Sequence, residues 1–332
     1  MPLKFVIIGP GAVGSFIAGS LALSNQNVTL FGKEKHVKVI KRNKVQLKRR
    51  KNHIIKNIKI TSNLDKLKDA EIIFLCVKSQ DTKTTIKQIK NHINKESIII
   101  TLQNGIKNYK IIRDNIDNEI IRAICTFNVY SPRPGVSILN LPGQIIIEKT
   151  KNSLLPTKIL NRSKIKTTLV NNIEPYQWSK LIINLQNPVS ALTNQTVIES
   201  LLDDDTRIIM NEIMKEGLDI INKANIEISK IPKIDPEKMI KRIDLYNPYI
   251  LLLGSYLIGI KKEAKNSMVQ SLNQNKRTEI DYINGEIVNL AKENNLEAPF
   301  NSKIVRLIKD LEFNSNITHS ISSNELKNHL FY

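Results

Sequence analysis

Cysteine is scarce in this chain: Cys76 and Cys125 are the only two in 332 residues. Both lie in apolar, strand-like runs, so they read as core residues in a reducing compartment. A disulfide framework and a thiolate metal cluster are excluded. The five histidines are scattered without ligand spacing, and no metal is expected. Long apolar runs are missing too. The longest, Tyr249 to Ile260, is interrupted by Gly254, Ser255 and Gly259 and is too short to span a bilayer. No signal peptide is expected, since Met1-Pro-Leu-Lys4 leads directly into the first strand. No membrane partner and a cytoplasmic location are the expectations.

Acidic residues are the deficient charge: 31 stand against 50 lysines and arginines, a formal net of +19. Such an excess suggests nucleic acid. Here the lysines are spread along a chain rich in Lys, Ile and Asn, and aromatics are few. The densest run, Lys48-Arg-Arg-Lys51, sits between two short strand-like segments and reads as a hairpin turn. A solvated basic surface is the reading, with no nucleic-acid partner.

The length suits two domains. Up to about Asn171, strand-like runs alternate with helical ones: Asn27–Phe31, Asp69–Val77, Ser97–Leu102, Ile120–Phe127, Val136–Leu139 and Ile145–Glu148. Val45–Leu47 and Ile58–Thr61 read as a small hairpin. Such alternation predicts an α/β Rossmann-type sheet over residues 1–171. From Tyr176 the periodicity turns helical, which predicts an all-α domain over residues 172–332. Ile208, Ile209, Ile213, Met214 and Ile220 fit one helix, and Ile280, Ile283, Ile287 and Leu290 another. The polar tail from Asn314 is expected to be only partly ordered.

The most informative stretch opens the chain: Lys4-Phe-Val-Ile-Ile-Gly9-Pro10-Gly11-Ala12-Val13-Gly14. A buried strand runs into G-x-G-x-x-G, and a helix follows from Ser15 to Leu23. Gly9 permits the tight turn, Gly11 leaves room for a pyrophosphate, and Gly14 lets helix and strand pack closely. The helix N-terminus then supplies amides to the phosphates. Lys78 and Asn104 each follow a strand, beyond whose carboxyl ends ligands bind in such sheets. The second strand ends Phe31-Gly32-Lys33-Glu34. Lys33 suits the 2′-phosphate of NADP, while Glu34 suits the ribose of NAD if the turn shifts by one residue.

Later, Trp178-Ser-Lys180-Leu-Ile-Ile-Asn184-Leu-Gln-Asn187-Pro188 places Lys180, Asn184 and Asn187 on one face of a helix, among Leu181, Ile182, Ile183 and Leu185. A buried asparagine network would explain the asparagines alone. A partly desolvated ammonium is also a proton donor to a developing alkoxide. A third cluster joins Asn266-Ser267-Met268 to Arg277-Thr-Glu279-Ile-Asp281. By pattern alone it is a capping and ion-pair arrangement.

These pieces, in this order, resemble the ketopantoate reductase family over nearly the whole chain. The resemblance implies hydride transfer from NADPH to C2 of ketopantoate, giving (R)-pantoate for pantothenate and coenzyme A synthesis. It implies Lys180 as general acid, Asn184 on the substrate hydroxyl or carbonyl, and Ser267 on the substrate carboxylate. Glu279 would orient substrate and lysine, and Asn187 would add a substrate contact. Lys78 and Asn104 would lie where cofactor meets substrate, Glu279 would also touch the cofactor, and Lys33 would match the 2′-phosphate. The chain departs from the family pattern in three places. Asn187 falls seven residues after Lys180 where eight is usual, Ser271 stands where Asp is common, and the stretch from Asp235 to Glu263 is longer. Another 2-keto acid, an opine-like or acyl substrate, and a non-catalytic NADPH-binding sensor are the alternatives. A homodimer stays open, since no self-complementary surface is legible.

Overall fold

Lys4–Ile8 forms the first strand, β1, and its side chains divide by parity. Phe5 and Ile7 join one apolar cluster with Phe16, Ile17 and Leu21. Val6 and Ile8 join another with Ile86, Ile89 and Ile112. A strand buried on both faces needs apolar residues at successive positions, which is why this run is continuous. The computed structural model describes residues 3–49, 51–232, 234–245, 263–313 and 320–332. It divides into two compact units, Met1–Ile173 and Glu174–Tyr332.

In the first unit β1 is joined by β2 (Asn27–Phe31), β5 (Lys59–Thr61), β6 (Ile72–Leu75), β7 (Ile98–Thr101), β8 (Ile120–Cys125), β11 (Ile145–Glu148) and β12 (Thr167–Val170). They form one sheet in the order β12-β11-β8-β7-β6-β1-β2-β5. β1 pairs in parallel with β2 and β6, so that Ile8 stands beside both Phe31 and Leu75. β11 runs antiparallel to β8. The chain leaves β1 for β2 on one side and returns to β6 on the other. Strand order therefore reverses at β1, where doubly wound sheets hold their ligands. Helices α2 (Glu34–Asn43), α3 (Thr82–Ile89), α4 (Asn108–Arg113) and α5 (Leu154–Arg162) complete this Rossmann-type layer structure.

A second sheet has the order β4-β3-β10-β9, from β3 (Val45–Lys48), β4 (Asn52–Ile55), β9 (Asn128–Tyr130) and β10 (Val136–Leu141). It corrects one expectation. Val45–Leu47 pairs with Asn52–Ile55 across the basic turn, and Ile58–Thr61 instead contributes β5 beside β2. Only Ile55 of β4 is buried, so this edge strand carries little apolar signal. The helix after the glycines, α1 (Ala12–Leu23), starts three residues earlier than expected and is buried from Gly14 to Ala22. It contacts β2 on one side and β3 and β10 on the other. A helix covered on both faces is apolar all round.

Among the described residues the second unit has only helices and one isolated bridge, Ile231 to Ile234. Its helices are α6 (Glu174–Asn184), α7 (Asn187–Thr193), α8 (Val197–Leu202), α9 (Asp204–Lys223), α10 (Pro236–Leu245), α11 (Ser267–Leu272), α12 (Asn284–Glu293), α13 (Pro299–Phe313) and α14 (Ser323–Phe331). Ile209, Ile213, Met214 and Ile220 of α9 are buried, whereas Ile208 is 41% exposed, off the apolar stripe. Ile280 and Ile283 are buried as expected, but Ile280 lies in a 3-10 turn before α12 and Ile283 sits between the two. The backbone at Ile283 (φ −120°, ψ −89°) interrupts the helix there. Of the tail from Asn314, the described part, residues 320–332, holds a helix. Ser322 caps α14, whose Leu326 and Leu330 are buried. The apolar stretch Tyr249 to Ile260 lies outside the described residues.

Candidate active site

The glycine turn is built by close approach. Gly9 has φ +104°, and a Cβ there would lie 2.8 Å from the Val77 nitrogen. A Cβ on Gly14 would lie 2.0 Å from the Gly9 carbonyl oxygen. Neither position admits a side chain. Gly11 is the opposite case, exposed and with nothing within 4 Å of its Cβ position. It is also the N-cap of α1 and offers no side-chain cap, so the first-turn amides of Ala12, Val13 and Gly14 have no intrahelical partners. An open helix N-terminus beside an unobstructed glycine suits a pyrophosphate. Pro10 is buried beneath it.

Lys78 and Asn104 follow β6 and β7, and a buried polar network fixes both loops. Gln103 donates to the Val77 carbonyl at 3.0 Å and to the Thr82 hydroxyl at 2.5 Å. Thr82 donates in turn to Asn108 Oδ1 at 2.8 Å. Asn108 and Ser79 both donate to the Asn104 carbonyl, at 2.5 and 2.8 Å. The backbone of Asn104 is thereby clamped while its side chain stays half-buried. A fully satisfied network of this kind rigidifies what it holds. The sequence offered Lys78 and Asn104 as candidates and gave little notice of the Gln103, Ser79, Thr82 and Asn108 network that holds their loops. Their only signal was a polar triplet, Gln103-Asn-Gly105, at a strand end.

Lys33 is the N-cap of α2, and its ammonium lies 3.7 Å from an Asp81 carboxylate oxygen. Its side chain is 69% exposed. Glu34 is turned elsewhere: it accepts a bond from the Ser62 hydroxyl and pairs with Lys38 at 3.8 Å. The Ser62 bond, with smaller help from Lys38 and Lys41, holds its carboxyl below the ordinary value.

In the second unit Lys180 and Asn184 stand one turn apart on α6, both half-buried, beside buried Leu181, Ile182 and Leu185. Asn187 is a correction. It does not share their helix, because α6 ends at Asn184 and Asn187 begins α7. Pro188 is the cause. It has no N–H to give the carbonyl of Asn184, four residues back, and its ring clashes there. The break frees the Leu185 carbonyl, which accepts from buried Asn284 at 3.0 Å. The Asn187 carbonyl accepts from Asn266 at 3.0 Å, and Asn266 caps α11 through the amides of Met268 and Val269. One asparagine thus ties Asn187 to the exposed Ser267. Ser271 donates to the Ser267 carbonyl at 2.8 Å. Glu279 is 8% exposed, while Asp281 pairs with Lys309 at 2.6 Å. Among the described residues no cluster of three or more His, Cys, Asp or Glu could hold a metal.

The model for ketopantoate reductase PanE/ApbA matches residues 5–152, and the model for its C-terminal domain matches residues 172–312. The chain belongs to the ketopantoate reductase family. A 2-dehydropantoate 2-reductase of Pyrococcus horikoshii is 30% identical over 317 residues, spanning 93% of this chain and 98% of that protein. A PanE/ApbA family ketopantoate reductase from Ralstonia eutropha JMP134 has the same fold, with a TM-score of 0.81 at 24% identity, over 94% of this chain and 99% of that one. D-Mandelate dehydrogenase, solved with NADH and anilino(oxo)acetate, has a TM-score of 0.79 at 22% identity, over 95% and 100% of the two chains. At such identities the last two speak for fold alone. As a member of the ketopantoate reductase family, the chain is an oxidoreductase.

Proposed function

We propose that the protein reduces 2-dehydropantoate (ketopantoate) to (R)-pantoate with NADPH, with Lys180 as the general acid. One observation carries the reading. The same chain has an open glycine turn at Gly9 to Gly14 and a lysine–asparagine pair, Lys180 and Asn184, on the half-buried face of an apolar helix.

When bound, the reduced nicotinamide supplies a hydride to the keto carbon. The amides of Ala12, Val13 and Gly14 bind the pyrophosphate, and the Lys78 and Asn104 loops border the nicotinamide end. Lys180 gives its proton to the oxygen on which negative charge develops. Its apolar neighbours lower the local dielectric and strengthen that interaction in the transition state. Asn184 orients the substrate hydroxyl or carbonyl, Ser267 the carboxylate, and Glu279 the substrate and lysine. Asn187 adds a substrate contact from the start of α7. NADPH is favoured over NADH because Lys33 is exposed at the end of β2, while Glu34 is engaged by Ser62 and Lys38.

A second reading keeps the reaction type and changes the substrate. Asn187 stands on a separate helix from Lys180, and Ser271 replaces an expected Asp. Both suit a different 2-keto acid. The test is isotopic: NADPH deuterated at C4 is incubated with ketopantoate, and the product is examined by mass spectrometry and chiral separation. Deuterium at C2 of (R)-pantoate supports the proposal. Unlabelled ketopantoate recovered intact refutes it.

A further inference from the structure

Two serines with no role in the proposed reaction contact the glycine turn. Ser15 lies in α1 and Ser137 in β10, and both are fully buried, at 0% exposure. Ser15 Oγ donates to the Pro10 carbonyl at 3.1 Å. Ser137 Oγ donates to the Ala12 carbonyl at 2.8 Å, across 125 residues of sequence. A carbonyl and the N–H of the next residue belong to one planar peptide unit. The Pro10 carbonyl therefore shares its amide with the N–H of Gly11, and the Ala12 carbonyl with the N–H of Val13. Gly11 is the N-cap and Val13 lies in the first turn of α1, so neither N–H has an intrahelical acceptor.

We infer that Ser15 and Ser137 are positioning residues for the dinucleotide pyrophosphate, each fixing and polarising one peptide whose N–H binds it. This role rests on the dinucleotide reading proposed above. A hydroxyl donated to one end of an amide strengthens the donor at its other end, and a fixed donor loses nothing to reorientation when the anion arrives. The Ala12 carbonyl has a helical partner in the Phe16 amide, so the Ser137 bond is not needed to satisfy it. Ser20 supplies the contrast. It is 1% exposed in the same helix and donates to the Phe16 carbonyl, whose peptide N–H, on Ile17, is already bonded within the helix.

The experiment measures dissociation constants for NADPH and NADH by calorimetry in the native protein and in Ser15→Ala, Ser137→Ala and Ser20→Ala. The amide proton shifts of Gly11 and Val13 are read by NMR without nucleotide. The expected loss is ~3–10-fold for Ser15→Ala and for Ser137→Ala, as for a weakened bond to a charged group. It should be equal for NADPH and NADH, which share the pyrophosphate. The Gly11 amide proton should move upfield in Ser15→Ala and that of Val13 in Ser137→Ala, with neither moving in Ser20→Ala. Unaltered affinity in both folded serine variants, or an equal loss in Ser20→Ala, overturns the assignment. If Ser137→Ala does not fold, Ser15→Ala decides alone, since alanine favours the helix. A native protein that binds neither dinucleotide refutes the functional reading and this role together. Native binding with unaltered variants refutes only the role.

Discussion

Lys180 is the residue on which the proposed chemistry turns. Lys180→Ala is expected to lower kcat by at least ~100-fold, the usual order for a lost general acid, and to leave the dinucleotide dissociation constant nearly intact. Stopped-flow turnover beside calorimetric binding checks both, and unchanged turnover would move the acid elsewhere. Lys33 answers a separate question. Lys33→Glu should weaken NADPH far more than NADH, read as the ratio of the two dissociation constants. An equal loss would place the 2′-phosphate contact on another residue. The placement of the glycine turn, Lys180 and Asn184 was legible because it is local: a strand, a tight turn, one helical face. Gln103, Thr82 and Asn108 were not, because their bonds cross 21 and 26 residues of sequence and nothing nearby announces them. Asn187 misled because spacing ignores what a proline does to the helix before it.

Among elements, the break between α6, ending at Asn184, and α7, beginning at Asn187, sets the two asparagines on separate helices. Asn284 holds that break by meeting the Leu185 carbonyl, and it also donates to Asn301, itself bound to Glu216. Asn284→Ala leaves a buried carbonyl unpaired and should destabilise the fold by about 1–3 kcal/mol, measured by urea denaturation. A loss within error would mean that the carbonyl finds another donor. Asp203, the N-cap of α9, gives the fold an acid sensitivity. Burial raises its carboxyl, but bonds from Thr206, Ser323 and Gln195 outweigh this and hold it below the ordinary value. A depressed carboxyl stabilises the folded state above its unfolded pKa and stops doing so as pH falls through its folded pKa. Native protein should therefore lose stability below about pH 4, the ordinary range of the group, and Asp203→Asn should lose less over the same interval. Parallel pH profiles of the two melting temperatures would remove Asp203 from the account. Elements with strong periodicity, such as β1 and α9, were legible in the sequence. The β3–β4 pairing and the helix in the tail were not, since one buried residue in β4 and two in α14 are too few to set a period.

The whole molecule joins an α/β unit with the glycine turn to a helical unit with Lys180, and both are matched by the family models. That plan was legible from the change of period near Asn171. The identity of the acid was not, because it depends on the shape of a pocket that no motif encodes. The net charge of +19 fits an enzyme for two anionic ligands, whose encounter a positive field hastens. The proposed reaction is on one substrate, and its most direct test is NADPH oxidation by the purified protein, followed by absorbance. Ketopantoate is compared with pyruvate, 2-ketoisovalerate and phenylglyoxylate. Saturable turnover on ketopantoate, with kcat/KM about 10⁴-fold above the others, is the predicted result, the scale expected when polar groups of a site read a substrate hydroxyl. NADPH bound without turnover on ketopantoate, or faster turnover on another acid, would contradict the account.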